Sequence, residues 1–285
     1  MKGNPKKFRK IYSIAAAVAL LGAFFIWQNN GIVITHYQYT NHKIPESFEG
    51  FIIVQVSDLH NKDFHGRLSK KIKEIKPDVI FITGDLIDRR NTKVDVAIQF
   101  IEEIAQTAPI YYVSGNHEQL SKRFDELKEK LNEWNVNIMD NSFVLLDQNG
   151  DKIGLMGIAD PAIYQTERSY LQEDSSAYVR NSLEDLYRNV DTEFNILLSH
   201  RPEVYPVYED MKVDLVFSGH AHGGQIRIPF IGGLIAPNQG FFPKYTEGIY
   251  TNGVTSMVVS RGLGNSLFPL RIFNRPELVV VTLKR

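Results

Sequence analysis

Residues that can bind metal ions follow five apolar segments of this sequence, each at the point where the segment ends. The residues of these types are Asp58, His60, Asp85, Asn116, His200, His220 and His222, with His117 directly after Asn116. In open α/β sheets, ligands bind at the carboxyl ends of the strands, so residues far apart in sequence can meet there. The positions therefore predict one site that is built from five loops.

The candidate ligands offer carboxylate oxygens, an amide oxygen and imidazole nitrogens but no sulfur, since the chain contains no cysteine. This set suits Mn²⁺, iron or Zn²⁺ better than Mg²⁺, because so many of the ligand atoms are nitrogens. Seven ligands are too many for a single ion that must also keep a water. They predict two divalent metal ions about 3.5–4 Å apart that share one carboxylate. His117 is then left for proton transfer.

Each of these motifs has a simpler interpretation when it is taken alone. An Asp-x-His or Asn-His pair in a loop is more often a turn or a helix cap than a pair of ligands. Asp-x-His and His-x-His nevertheless place both side chains on one side of an extended segment, so both can face one metal cluster. The metal-site hypothesis therefore depends on the whole set of motifs.

The segments that carry these loops have the pattern of buried strands. Residues 51–56 (FIIVQV), 78–83 (DVIFIT) and 110–114 (IYYVS) are nearly continuous apolar runs, which are typical of strands covered on both faces. Helical patterns at about 66–75 and 94–105 separate them. The first half of the chain therefore predicts a βαβαβ unit with right-handed crossovers.

Shorter elements follow in the second half of the chain. Turn residues at 149–150 and 252–253, both Asn-Gly, predict hairpins over 142–159 and 249–260. The remaining predicted elements are strands at 32–39, 137–139, 194–199, 214–218 and 278–283 and helices at 122–134 and 182–190. Together they predict an α/β fold, a four-layer α-β-β-α sandwich with two packed mixed sheets and helices outside.

An uncharged apolar run at 11–27 precedes these elements and follows a basic segment at 1–10. Its 17 residues are just long enough to cross a hydrocarbon core of about 30 Å as a helix. The end of the run, GAFFIW at 22–27, is too bulky for easy cleavage. We therefore predict a transmembrane signal anchor, with a cleaved signal peptide as the alternative. The positive-inside rule leaves the basic end in the cytoplasm.

The chain thus divides into a cytoplasmic basic segment (1–10), a transmembrane anchor (11–27), a juxtamembrane segment with the first strand (28–44) and one large domain (45–285). We expect a single-pass protein of the cell membrane with the large domain on the extracytoplasmic side. A net charge of −1 and a pI of about 6.7 give no electrostatic reason to bind nucleic acid. We also expect a monomer.

The five loop motifs resemble those of the calcineurin-like metallophosphoesterase superfamily. The pattern of that superfamily is D-x-H, G-D-x-x-D, G-N-H-[DE], a lone His and G-H-x-H, and the chain has all five blocks in this order. The tail segments HGGQIRIPFIGG, SRGLG and RPELVVVTL are similar to the YkuE/YaeI-type membrane-associated subgroup. The resemblance implies a domain at 45–285 that hydrolyses phosphate esters with two bound metal ions.

The resemblance also implies a role for each residue. The two metal positions share Asp85, and the other ligands are Asp58, His60 and His222 for one ion and Asn116, His200 and His220 for the other. A metal-bridging hydroxide attacks phosphorus in line, and His117 protonates the leaving oxygen as general acid or stabilises the transition state. We expect Asp88 to orient His117 or to brace its loop, and Glu118 to be structural.

Three arginines are candidates for contact with a substrate phosphate. Arg89 stands where protein Ser/Thr phosphatases carry a phosphate-binding Arg, but those enzymes place a second Arg after GNHE, where this chain has Gln119. A surface position is the alternative for Arg89. Arg201 and Arg261 adjoin candidate loops and are predicted substrate contacts, with a solvated salt bridge as the alternative for both.

The segment 226–245 is apolar yet interrupted by prolines and glycines. We interpret it as a buried connection under the site, with a lip that rests on the membrane or grips acyl chains as the alternative. The favoured function is a membrane-anchored hydrolase of phosphate mono- or diesters, with a lipid-linked phosphate as a candidate substrate. The alternatives are a protein Ser/Thr phosphatase and a non-catalytic metal-binding scaffold, although a scaffold has no need of His117.

Overall fold

The computed structural model describes residues 5–265 and 268–285, so residues 1–4 of the predicted basic segment lie outside the described part of the chain. One long helix precedes the large domain, and shorter helices connect its strands. The α-helices are α1 (Pro5–Asn30), α2 (Arg67–Ile75), α3 (Val94–Ile104), α4 (Asn116–Gln119), α5 (Phe124–Glu133), α6 (Ser176–Tyr187) and α7 (Tyr205–Asp210).

The strands form two large sheets and two short pairs. In chain order they are β1 (Val33–Thr40), β2 (Ile52–Val56), β3 (Val79–Thr83), β4 (Ile110–Val113), β5 (Asn137–Ile138), β6 (Ser142–Gln148), β7 (Asp151–Gly157), β8 (Asn195–Leu198), β9 (Leu215–Ser218), β10 (Arg227–Ile228), β11 (Gly232–Gly233), β12 (Ile235–Ala236), β13 (Gly240–Phe241), β14 (Gly248–Asn252), β15 (Thr255–Val259) and β16 (Glu277–Lys284). The short pairs are β10 with β11 and β12 with β13.

Both large sheets are mixed and have six strands. The first has the order β1-β16-β2-β3-β4-β5, in which β2 to β5 run parallel, β16 runs antiparallel to β2, and β1 runs parallel to β16. The second has the order β14-β15-β9-β8-β7-β6, with parallel pairing from β15 to β7 and an antiparallel strand at each edge. The parallel strands therefore run from β2 to the edge strand β5 in the first sheet and make up the four central strands of the second.

The two sheets pack face to face over an apolar layer. Phe81 of β3 and Phe217 of β9 meet there with ring centroids 5.2 Å apart, and Val279 of β16 is buried beside them. Helices α2, α3 and α5 cover the outer face of the first sheet, and α6 and α7 cover the outer face of the second. The predicted four-layer α-β-β-α sandwich with two packed mixed sheets is confirmed.

Most predicted elements agree with the structure within two residues at each end. The exceptions are the apolar helix predicted at 11–27, which is longer at both ends, and the helix predicted at 182–190, because α6 begins at Ser176 and ends at Tyr187. Val179 and Leu183, which lie one turn apart, are buried against the second sheet, so the apolar face begins before the predicted start. The prediction also omitted α7, whose six residues are too few to show a helical period.

Helix α1 extends the predicted anchor of 11–27 at both ends. Its stretch Arg9–Asn30 has 22 residues of high mean hydropathy, and only 6% of its most apolar window is buried. A helix of this length and composition can cross a membrane. The protein therefore carries an exposed N-terminal apolar helix, in line with a single-pass membrane protein.

The segment 226–245 differs from the expectation of a buried connection. It contains the short pairs β10–β11 and β12–β13, and the tip of the first pair is open to solvent at Phe230 and Ile231. Five large apolar residues of the segment are exposed: Ile235, which lines the cavity, and four that we refer to as the apolar lip, Phe230, Ile231, Phe241 and Phe242. Two-residue strands have too little surface to cover such side chains, so the segment stands out from the domain.

Candidate metal centre and active site

The predicted site residues gather at one edge of the sandwich. Asp58, Asp85 and Asn116 follow β2, β3 and β4 of the first sheet, and His200 and His220 follow β8 and β9 of the second. The two sheets are joined close to this edge, where the Gln55 Nε2 donates to the Ser218 carbonyl at 2.9 Å. The parallel strands therefore deliver their loops to a common place, as the strand-end argument predicts.

Four buried side chains form the first ligand group: Asp58, His60, Asp85 and His222. Their ligand atoms all lie within 4.8 Å of one another. The His60 and His222 Nε2 atoms are 3.1 Å apart, and the His222 Nε2 lies 3.3 Å from the Asp58 Oδ1. Lone-pair atoms that converge at such distances without intervening donors form a cation site.

The second ligand group shares Asp85 and adds His200 and His220. The His200 Nε2 is 3.2 Å from the Asp85 Oδ2, while its Nδ1–H donates to the Thr83 carbonyl at 2.7 Å. The His220 Nε2–H donates to the Asn238 Oδ1 at 3.0 Å, which leaves Nδ1 as the ligand atom. Such outer partners fix the tautomer and ring orientation of metal-binding histidines.

Three buried polar atoms at this centre have no hydrogen-bond partner among the described residues, the His60 Nδ1, the Asn116 Oδ1 and the His200 Nε2. A buried polar atom without a partner costs about 1–3 kcal/mol, so native proteins rarely leave one. Bound metal would satisfy the Asn116 and His200 atoms and would compensate the close approach of the His60 and His222 nitrogens. The donor set present therefore fits a dinuclear divalent metal centre, with Asp85 common to both ligand groups.

Burial decides the charge states of most groups at the metal-free centre. Burial lowers the pKa of His220 to about 3 and that of His222 well below its ordinary value, and it raises the pKa of Asp58. Burial would also lower the pKa of His200, but the Asp85 carboxylate raises it to about 10. Divalent cations bound here would replace the proton on His200 and compensate the Asp58 and Asp85 carboxylates, so metal binding would release protons.

The loops that carry the ligands have an unusual backbone. The ligand residues with φ in the left-handed region are Asp58 (φ 51), His60 (φ 46), Asp85 (φ 55), His220 (φ 63) and His222 (φ 48). This region costs L-residues about 1–2 kcal/mol each. Strain of this kind clusters at functional sites, where the surrounding structure maintains it.

Two glycines of the motifs permit close approach between loops. A Cβ on Gly115 would lie 2.2 Å from the Asp85 Oδ1, and a Cβ on Gly219 would lie 1.9 Å from the Ser57 Oγ. The Glu118 carboxylate joins the same loops, because it accepts hydrogen bonds from the backbone N–H groups of Asp85, Ile87 and Gly115 at 2.8–3.0 Å. Its contacts are those of the structural residue that we expected.

His117 lines the cavity above the metal centre without belonging to either group that shares Asp85. Its Nδ1 accepts a hydrogen bond from the Arg89 backbone N–H at 3.2 Å, so the ring proton resides on Nε2. The Asp88 carboxylate is farther away, at 3.7 Å, and accepts instead from the Arg90 and Asn91 backbone at 2.8 and 3.2 Å. Of the two roles considered for Asp88, these contacts favour bracing of the loop.

The predicted substrate contacts Arg201 and Arg261 are both engaged by carboxylates. Arg201 is 1% exposed and forms a bidentate ion pair with Asp160, with both N···O distances at 2.8 Å. The Arg261 Nη2 pairs with Glu277 at 3.0 Å. Neither guanidinium lines the cavity within the described part of the chain. The structure favours the salt-bridge alternative for both, although the Arg201 pair is buried rather than solvated.

The surface position considered for Arg89 is wrong. Its side chain is 2% exposed and lies over the Tyr170 ring, 4.4 Å from the centroid. It also donates to the Tyr170 hydroxyl at 2.8 Å and pairs with Glu167 at 2.7 Å. Tyr170 lines the cavity, so Arg89 acts as a support for the cavity wall.

A cavity of about 600 Å³ lies over the metal centre. Its floor is polar and includes Asp85, His117 and His222. The apolar side chains of its wall are Leu171, Ile235, Ala236, Pro237 and Phe268. No motif marks these wall residues or Asn238 in the sequence, because loops far apart along the chain bring them together.

Comparisons with known proteins agree with this geometry. Residues 51–224 match the family described as calcineurin-like phosphoesterase. The chain is 33% identical over 261 residues to the metallophosphoesterase YkuE of Bacillus subtilis, covering 89% of this chain and 86% of YkuE. It is also 28% identical over 256 residues to a Danio rerio transmembrane protein with metallophosphoesterase domain, covering 85% of this chain and 55% of that protein.

A solved structure shares the fold at low sequence identity. The TT1561 protein of Thermus thermophilus superposes with a TM-score of 0.51 at 14% identity, covering 75% of this chain and 90% of that one. The family match spans both ligand groups, from Asp58 to His222. The chain therefore belongs to the calcineurin-like metallophosphoesterase family and is a metal-dependent phosphoesterase.

Proposed function

We propose that this protein is a membrane-anchored hydrolase of phosphate mono- or diesters that acts on a lipid-linked phosphate outside the cytoplasmic membrane. One observation carries the proposal. The cavity has a metal-binding floor and apolar walls, in a chain that also carries an exposed apolar helix long enough to cross a bilayer. A soluble phosphate ester has no use for such walls, whereas an acyl or prenyl chain gains free energy by burial against them.

In the proposed reaction, Asp58, His60, Asp85 and His222 hold one ion, and Asp85, Asn116, His200 and His220 hold the other. Two divalent ions, whether Mn²⁺, Fe²⁺ or Zn²⁺, would activate water and neutralise the phosphoryl oxygens. The proton on the His117 Nε2 is directed to the leaving oxygen, since the Arg89 N–H occupies Nδ1. His117 thus serves as the general acid of the phosphoester cleavage.

The wall and the apolar lip provide the lipid part of the proposal. Ile235 and Phe268 line the cavity and are themselves partly open to solvent, at 41% and 43% exposure. Phe273, also exposed, lies between the lip and the anchor, because it borders the same depression as Phe230 and its ring is 5.7 Å from that of Phe24 in α1. An apolar surface thus continues from α1 through Phe273 to the apolar lip.

The topology proposed for α1 follows from charge. The basic residues lie at its start, among them Arg9 and Lys10, and the stretch from Asn29 to Glu49 contains only one lysine, Lys43. By the positive-inside rule the start of α1 stays in the cytoplasm and the catalytic domain stands outside. The apolar lip then faces the outer leaflet, where lipid-linked phosphates are accessible.

The proposal is tested with the full chain in phospholipid nanodiscs, stripped of metal and reloaded with Mn²⁺, Zn²⁺ or Fe²⁺. Substrates are mono-, di- and pyrophosphate esters in matched pairs, one with a lipid tail and one with the same headgroup on a short soluble alcohol. We expect the lipid member to have the higher kcat/KM by about tenfold or more, since two buried methylene groups suffice for that factor.

Two results would contradict the proposal. Much faster hydrolysis of the soluble member of every pair, or of soluble nucleotides, would remove the lipid-linked substrate. Absence of hydrolysis across the whole panel with all three metals would indicate a metal-binding scaffold instead. An orientation assay supplies the second readout: a protease added outside intact cells should digest the catalytic domain but not a tag placed before Met1.

A further inference from the structure

The Asn29 side chain, in the last turn of α1, forms hydrogen bonds with the catalytic domain. The Asn29 Oδ1 accepts a hydrogen bond from the Arg271 backbone N–H at 2.8 Å, and its Nδ2 donates to the Arg271 carbonyl at 3.3 Å. Asn29 is 8% exposed, whereas the apolar part of α1 is open on its surface. The amide therefore pairs with the backbone of a residue 242 positions away.

Neighbouring contacts keep the same junction rigid. The Arg275 guanidinium lies 4.5 Å from the centre of the Trp27 ring and donates to the Gly31 carbonyl at 3.0 Å. The Lys62 ammonium donates to the Asn29 carbonyl. Strand β1 begins at Val33, so only two residues separate α1 from the first sheet. The anchor and the domain therefore meet without a flexible linker.

The Arg271 side chain connects this junction to the loop at 261–264, behind the metal centre. Its guanidinium is buried, and it donates to the Gly264 carbonyl at 2.9 Å from Nε and to the Arg261 carbonyl at 2.8 Å from Nη1. The Nη2 atom lies 3.4 Å from the His222 Nδ1. One side chain thus contacts both the loop at 261–264 and a ligand of the first group.

The loop at 261–264 in turn supports Asp58. The Gly264 N–H donates to the Asp58 carbonyl at 2.6 Å, and the Leu263 N–H donates to the Ser57 carbonyl at 3.1 Å. Gly262 packs so closely that a Cβ there would lie 2.7 Å from the Asp58 Cβ. The backbone of Asp58, held in the left-handed region, depends on this loop for its position.

We infer that Asn29 and Arg271 are positioning residues for the first metal position, and that docking of the membrane helix sets the affinity of this position. The contacts run from Asn29 to Arg271 and from there to Asp58 and His222. The second group is held by different partners, since Thr83 supports His200 and Asn238 supports His220. Loss of the Asn29 contact therefore weakens one metal position and spares the other. The inference rests on the proposed assignment of ligands and not on the substrate.

The test measures metal binding by the full chain in detergent micelles. Metal-free protein is titrated with Mn²⁺, with bound manganese counted by mass spectrometry and the pair detected by the exchange-coupled electron paramagnetic resonance signal. The variant is Asn29→Leu, which keeps the branched shape of the side chain but removes both hydrogen bonds to Arg271, together with the one to the Phe25 carbonyl within α1. Asn30→Leu is the matched control, because the Asn30 side chain donates only to the Ile26 carbonyl at 3.0 Å and is otherwise free of the domain among the described residues.

We expect two coupled ions per chain in the wild type and in Asn30→Leu. In Asn29→Leu the affinity of one position should fall by about tenfold to a hundredfold, the range seen when outer supports of a metal ligand are removed. The coupled signal then gives way to that of an isolated ion. Asn29→Asp, which keeps the acceptor for the Arg271 N–H, should recover most of the coupled signal.

The same loss is expected for Arg271→Lys, which cannot reach the Gly264 and Arg261 carbonyls together. Thermal unfolding of each metal-free variant shows whether its domain is folded. If one of the two variants is unfolded, the metal titration is carried out on the other. Two tightly bound, coupled ions in both folded variants would overturn the inference. A wild-type chain that binds a single ion would overturn it too, whereas coupled ions without any phosphoesterase activity would contradict the proposed function alone.

Discussion

The floor of the cavity and the apolar lip differ in how the fold holds their side chains. Each ligand of the floor follows a buried strand, and further contacts such as His200 to Thr83 hold it in place. The lip consists of exposed side chains such as Phe230 and Phe242 on strands of two residues. The side chains of the floor are thus held by several partners, whereas the lip side chains are exposed; in the proposed function the floor acts on the phosphate and the lip on the lipid part of the substrate. Substitutions in the two regions should therefore have separable effects.

The largest effect is expected at the shared ligand. Asp85→Asn removes the negative charge common to both ligand groups, so both ions should bind weakly and activity should fall on the order of 10⁴-fold. Bound metal and turnover are measured on the same sample. Asp88→Asn is the control, because Asp88 braces its loop through backbone contacts. If Asp85→Asn still bound its full complement of metal, Asp85 would not be the ligand that the two ions share.

The second effect separates chemistry from metal binding. His117→Ala should keep both ions but lose about a hundredfold to ten-thousandfold in kcat on alkyl phosphates, because general acid catalysis contributes that factor. Esters of 4-nitrophenol, whose leaving group needs no proton, should lose much less. Equal losses on both kinds of ester would show that His117 has another role.

The third effect belongs to the lip. Phe230→Ser combined with Phe242→Ser should lower kcat/KM for a lipid-linked ester in nanodiscs by about tenfold or more, since full burial of even one phenyl side chain contributes about 1.5–3 kcal/mol. Turnover of a soluble ester should stay unchanged, because neither residue lines the cavity. Val254→Ser, at an exposed hairpin turn, is the control. Parallel losses on both esters would mean that floor and lip are not separable.

The smallest effect on turnover is expected from the buried ion pair between Arg201 and Asp160, whose loss should act on stability. Arg201→Met leaves Asp160 buried and uncompensated, which costs about 3–5 kcal/mol of unfolding free energy. Arg180→Met, which breaks an exposed pair with Asp210, should cost less than about 1 kcal/mol. Chemical denaturation measures both, and similar costs would contradict the buried role of Arg201.

The same pair gives a pH dependence. Burial alone would raise the pKa of Asp160, but the Arg201 guanidinium holds it below its ordinary value. The stabilisation is therefore fully present above about pH 4, the ordinary pKa of Asp, and is lost as the pH falls through the lowered folded value. Unfolding free energy of the wild type should decline over this acid range, and that of Arg201→Met should decline less.

The sequence predicted the elements that bear the floor because burial and chemistry are both visible in residue types. A run such as FIIVQV at 51–56 is followed at once by Asp58 and His60, so strand, loop and ligand are read from one short stretch. The junction at Asn29 could not be predicted this way, because its partner Arg271 lies at the other end of the chain and neither residue belongs to a motif.

The exposure of the lip was missed for a related physical reason. Apolar composition at 226–245 indicates that the segment seeks an apolar environment, but it does not say whether protein or lipid provides it. Tyr170 and Asn238 of the cavity were also missed, since they touch only through a hydrogen bond between distant loops. Contacts or exposure that depend on residues far apart in sequence determine each of these features, so the sequence alone did not predict them.

The parallel pairing of β1 with β16 also determines when the first sheet can be completed during synthesis. Val33 pairs with Glu277 and Thr40 pairs with Lys284, so the strand that follows α1 finds its partner only after residues 277–284 have been synthesised. Until then β1 remains an unpaired strand next to α1, a state prone to wrong pairing. A chain that stops before residue 277 leaves β1 without its parallel partner in the first sheet.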